Sequence, residues 1–135
     1  MAFTGNYTCN SFKSGLLNGD FDFASDTFKI ALYTNNATLN ADTSAYSSDN
    51  EVSASGYTAG GNSLTVTTGI TSGTSFVSFT DTSWSAAITA RGALIYKDGG
   101  AAVCVLDFGS DKTSTTTFTV DFPVASSTDA LIRLS

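Results

Sequence analysis

Three closely spaced aspartates, Asp20, Asp22 and Asp26, are the densest group of potential ligand oxygens in this 135-residue chain. Alternating Asp residues in a loop are one way to hold calcium. Here Phe21 and Phe23 fill the intervening positions, and neither the loop glycine nor the closing glutamate of such a site follows. The three read instead as turn-capping, solvated carboxylates. Glu51 is the sole glutamate and stands near Asp49. Glycoside hydrolysis needs two carboxylates facing each other at a set separation, and no spacing in the chain places a second acid opposite Glu51.

The absence of histidine removes the usual Ser-His-Asp and Cys-His nucleophile systems and any histidine-ligated zinc. Two cysteines, Cys9 and Cys104, cannot build a four-thiolate site, and no glycine-rich phosphate loop ending in Gly-Lys-Ser/Thr is present. No catalytic residue, metal or cofactor is expected. Trp84, the only tryptophan, could stack on a sugar with Tyr46 and Tyr57 as further platforms. A single tryptophan in an alternating segment reads first as core.

Composition narrows the partners. The net charge is −6 with only 13% charged residues, and the six cations are scattered along the chain. Such a surface repels phosphate backbones and anionic lipids, so neither nucleic acid nor membrane is an expected partner. With 41% hydrophobic residues and one proline, the chain is expected to fold as a single domain over 1–135. Met1 to Tyr7 lacks the basic flank and apolar stretch of an export signal, so folding in the cytoplasm with both thiols reduced and partly buried is expected.

The elements follow from periodicity. Residues 1–8 read as an irregular arm, followed by a short helix capped by Thr8, stopped at Asn18-Gly19 and burying Phe12 and Leu16. Thr27–Thr34 alternates, with Phe28, Ile30 and Leu32 inward and a wet opposite face. Asn35 to Gly61 is a long polar excursion expected to contain a helical turn near Tyr46 or a short strand, and it is a candidate contact loop. Gly60-Gly61 and their surroundings are expected to order on assembly. Strands follow at Ser63–Thr68 and Ser75–Asp81, then a short segment with Trp84 and Ile88. The strongest hairpin is Gly92–Lys97 with Ala101–Phe108 around Asp98-Gly99, placed centrally by its apolar arms. A turn at Gly109–Lys112, a strand at Thr116–Phe122 and a last strand at Ala130–Leu134 complete the chain. The expected fold is all-β: an antiparallel two-sheet sandwich, jelly-roll-like, with a short N-terminal helix.

Six stretches carry a resemblance. They are Asp26-Thr-Phe-Lys-Ile-Ala-Leu-Tyr-Thr34 with Ala37-Thr-Leu39, Asn50-Glu-Val52, Gly56-Tyr-Thr-Ala-Gly-Gly61, Thr89-Ala-Arg-Gly-Ala-Leu-Ile-Tyr96 and Val105-Leu-Asp-Phe-Gly109. Together they resemble a group of small virion proteins of tailed bacteriophages, from about residue 10 to the C-terminus. The resemblance implies a structural protein of the particle, assembled in host cytoplasm, and carries no residue-level site. Within that group a capsid-decorating, cement-like protein is the expected role, bound to the major capsid protein or other virion proteins and itself a dimer or trimer. A neck or tail adaptor, a fibre-associated module and a carbohydrate-binding module for host recognition are the alternatives. Phe3 and Tyr7 on the arm, with Tyr46 and Tyr57 on the long loop, are the expected interface anchors. Removing residues 1–8 is expected to weaken assembly and leave the domain folded.

Overall fold

A computed structural model describes residues 3–135; Met1 and Ala2, the start of the expected arm, lie outside it. Strands take 42% of the chain and helix 7%, which makes the fold an all-β antiparallel sandwich with one short helix. The central sheet is built on β2 (Phe28–Tyr33), β7 (Thr89–Lys97) and β8 (Ala102–Thr113). Its flanking members are β1 (Tyr7–Thr8) beyond β8 and β3 (Asn62–Leu64) beyond β2, giving the order β1-β8-β7-β2-β3. A second sheet holds β4 (Val66–Thr71), β5 (Thr74–Phe79) and β10 (Ile132–Leu134) in the order β10-β5-β4. β6 (Thr82–Trp84) pairs separately with β9 (Phe118–Val120).

The expected alternation in β2 is present, but its opposite face is not wet. Phe28, Ile30 and Leu32 enter the main core with Ala93 and Ile95 of β7. Ala31 and Tyr33 enter a second cluster with Leu94, Tyr96, Ala102 and Val105. The central sheet is therefore buried on both faces, which explains the near-continuous apolar runs of the β7–β8 hairpin. The second face is covered by the long segment between β2 and β3, through Ala37, Leu39 and Tyr46. That segment contains neither the helical turn nor the strand expected near Tyr46. It holds only single bridges, Tyr33 with Glu51 and Ala45 with Ala101.

Three further expectations are corrected. The helix, α1 (Asn10–Asn18), is capped by Cys9 rather than Thr8, and its carbonyl accepts from the N–H groups of Phe12 and Lys13. Thr8 is committed to the ladder opposite Cys104, so the helix starts one residue later. Gly109–Lys112 is not a turn between strands: β8 runs on to Thr113, and the irregularity lies between the pairs Gly92–Asp107 and Ala90–Lys112. The arm, finally, belongs to the fold. Tyr7 and Thr8 pair with β8, and the Asp107 N–H donates to Asn6 Oδ1 at 2.6 Å. Phe3 is 3% exposed, with the Arg91 guanidinium 5.5 Å from its ring centroid and Gly92 beneath it. Deleting residues 1–8 would strip a buried aromatic and an edge strand from the domain, so stability and assembly would fall together.

Both cysteines are free and buried. Burial pushes the Cys9 thiol up to about 11 and the Cys104 thiol up to about 12. At neutral pH a thiol-specific reagent is expected to label neither in the native protein and both after denaturation. Labelling of the native protein faster than global unfolding would contradict this burial.

Candidate interaction surface

Four of the five tyrosines fasten the long segment to the central sheet, two of them, Tyr46 and Tyr57, through Glu51 and the other two through backbone carbonyls of the segment. Glu51 Oε1 accepts from Tyr46 Oη at 2.6 Å, and Oε2 accepts from Tyr57 Oη at 2.6 Å and from the Gly60 N–H at 2.7 Å. Tyr57 Oη in turn accepts from the Leu32 N–H of β2 at 2.9 Å. Tyr33 donates to the Ser47 carbonyl, and Tyr96 donates to the Gly60 carbonyl. Tyr46 also lies against Tyr96, ring centroids 4.9 Å apart. Gly60 and Gly61, expected to order on assembly, are held inside the domain by these bonds and by the Gly61 N–H donating to the Thr58 carbonyl. Both Glu51 oxygens are occupied by protein donors, so the carboxylate serves this lock.

The lock makes a pH signature. Burial first, then Asp98 and Glu51, pushes the Tyr96 phenol up to about 12. Burial likewise raises Tyr33, Tyr46 and Tyr57, with Glu51 adding to each. In the unfolded chain these phenols and the two thiols release protons near 10.0 and 9.0. Between those values and about 12 the folded state holds more protons than the unfolded one, so stability falls as pH rises. The melting temperature is expected to hold level to about pH 8.5 and then decline steeply, with tyrosinate absorbance rising as the fold is lost. Free titration of Tyr33, Tyr46, Tyr57 and Tyr96 near pH 10 without unfolding would contradict the lock.

The three aspartates also serve local structure. Asp22 accepts from Ser25 Oγ and the Ala24 N–H, and these bonds hold its carboxyl below the usual range. Asp26 accepts from the Asp22 N–H and meets Lys97 Nζ at 3.1 Å. Lys97 also donates to the Asp20 carbonyl. Trp84 is 4% exposed, packed against Tyr57 and Phe118, so it is core and offers no open face to a sugar.

The expected anchors therefore separate. Phe3 and Tyr57 are buried in the chain's own core, while Tyr7 on β1 and Tyr46 on the long loop are half-buried, both packed against the second cluster. The open apolar surface is elsewhere. Leu17, Ile70 and Leu134 are 88%, 70% and 65% exposed. They line two joined depressions between α1 and the β10-β5-β4 sheet, which share Phe12, Leu16, Ile132 and Leu134. Lys13 and Arg133 stand at the rim, and neither is in an ion pair among the described residues. The signal in the sequence was the pair Leu16-Leu17: a short helix can turn only one of two adjacent leucines to its core. Ile70 and Leu134 carried no such signal, because an alternating strand does not reveal whether its apolar face is covered.

No family model, curated protein or solved structure matches this chain.

Proposed function

We propose that this chain is a structural subunit of a tailed-phage particle, a capsid-decorating protein that acts by adhesion. The observation that carries the reading is the open apolar groove between α1 and the β10-β5-β4 sheet, set on a domain whose central sheet is covered on both faces. A contiguous patch of large exposed apolar side chains marks an interaction surface, and a core without loose faces keeps that surface rigid. The resemblance of the β2, β7 and β8 segments to small virion proteins supports the same reading. On it, the major capsid protein covers the groove, and Lys13 and Arg133 at the rim meet acidic groups of that partner.

Add-back to particles assembled without this protein tests the proposal. Wild-type chain is expected to bind, and Leu17→Glu with Leu134→Glu to bind at least about tenfold more weakly while melting normally, since both side chains are already solvent-exposed. Wild-type chain that fails to bind, or a double variant that binds unchanged, would discard the groove as the contact.

A further inference from the structure

Sheet edges in this fold differ in how far they are protected. β1 has two residues, β3 and β10 three each, and the β10 edge carries Arg133. The side chain of Asn62 ties β3 to Thr82 and to the Ser83 carbonyl. β4 is different: six residues, Val-Thr-Thr-Gly-Ile-Thr, with no charge, no proline and, among the described residues, no strand paired on its outer side. Natural edges are normally blunted by shortness, charge, proline or a bulge. The β4 pairing with β5 is also regular from Val66–Phe79 to Thr71–Thr74, without a bulge.

The direction of its backbone groups can be read from the ladder. The Thr80 N–H donates to the Thr65 carbonyl, so Thr65 and Thr80 form a hydrogen-bonded pair. Alternation then puts Thr67, Gly69 and Thr71 in bonds to β5. The hairpin agrees: Ser72 and Gly73 have φ of 51° and 81°, the two-residue turn that closes on a bonded pair, here Thr71 with Thr74. Val66, Thr68 and Ile70 consequently direct their N–H and C=O groups to the open side.

We propose that a second copy of this chain adds to the β4 edge, antiparallel and about a twofold axis through Thr68. The bonded pairs are then Thr68 with the partner's Thr68, and Val66 with the partner's Ile70 in both directions. This register uses every outward backbone group of β4 and joins two three-stranded sheets into one of six strands. It places the exposed Ile70 across from a partner β-branched side chain, a favourable cross-strand pair. A second copy fits because β4 is uncharged in a chain of net charge −6, so its two copies meet without like-charge repulsion at the ladder. A twofold edge contact is also self-complementary, as an isologous interface must be.

This inference rests on the reading of the chain as an assembling subunit, and the two can fail separately. Light scattering of the purified chain is expected to give twice the chain mass. Thr68→Lys and Thr68→Glu are each expected to weaken the dimer about tenfold or more, because like charges then face each other across the axis. Mixed one to one, they are expected to restore a heterodimer, which folding defects would not produce. Thr68 is exposed, so each variant should keep the wild-type melting temperature apart from the loss of dimer. A monomeric or trimeric wild type, a dimer unchanged by Thr68→Lys, or no pairing on mixing would overturn the edge contact. A monomer that still enters particles would leave the particle reading standing, and a dimer absent from particles would do the reverse.

Discussion

A Gly61→Ala variant is expected to lose most of the domain's stability. Gly61 has φ +77°, and a Cβ there would lie 1.7 Å from the Ile30 carbonyl oxygen and 2.9 Å from Ala31 Cα. Those are backbone atoms of β2 at the centre of the fold, so no side chain can move aside to admit the methyl. The segment before β3 must lift off the sheet, and the Tyr96 bond to the adjacent Gly60 carbonyl goes with it. A loss of about 4 kcal/mol or more is expected, the range reached only by severe clash or core damage. Gly73→Ala is the internal control: φ is +81°, but nothing lies within 4 Å of the added Cβ. That variant carries only the conformational penalty, about 1–2 kcal/mol. Urea unfolding of the two variants separates clash from backbone preference, and equal losses would refute the close approach to β2.

Glu51→Ala is the second large effect. It strands three donors at once: Tyr46 Oη, Tyr57 Oη and the Gly60 N–H. Each unsatisfied donor costs about 1–3 kcal/mol in proportion to its burial. Tyr57 and Gly60 are buried and Tyr46, half-buried, can still reach water, so about 3–5 kcal/mol in total is expected. Against a typical stability of about 5–15 kcal/mol this is a major fraction. Glu51→Gln should cost distinctly less. Its amide oxygen can still accept from Tyr57 and Gly60, and Tyr46 Oη can turn to accept from the amide nitrogen. The expected order is wild type, then Glu51→Gln, then Glu51→Ala, read as denaturation midpoints. A loss below about 1 kcal/mol for Glu51→Ala would show that the tyrosine lock does not hold the segment down.

These two positions mark where the sequence was legible and where it was not. The period-two runs of β2 and the Asp98-Gly99 hairpin locate the central sheet, because side-chain alternation and turn chemistry are local properties. Burial on the second face of β2 was invisible, because it depends on a polar segment folding back over Ala31 and Tyr33. That segment has no periodicity to read. It is held by single long-range bonds, and nothing local connects Glu51 to the Leu32 N–H through Tyr57. The same reason misplaced Phe3: an aromatic on a polar tail looks like a free anchor until Gly92 and Arg91 supply its pocket. The open groove was missed for the converse reason. Ile70 and Leu134 sit in well-formed strands, and only the packing of α1 decides that they stay uncovered.

Counting this chain against the major capsid protein in purified particles, by quantitative mass spectrometry, tests the proposed role at its root. Decoration requires copies in a fixed ratio to capsomers, comparable in abundance to the shell protein itself. A yield matching a single ring at the portal vertex would move the chain to the neck or tail, and its absence from purified particles would contradict a structural role altogether.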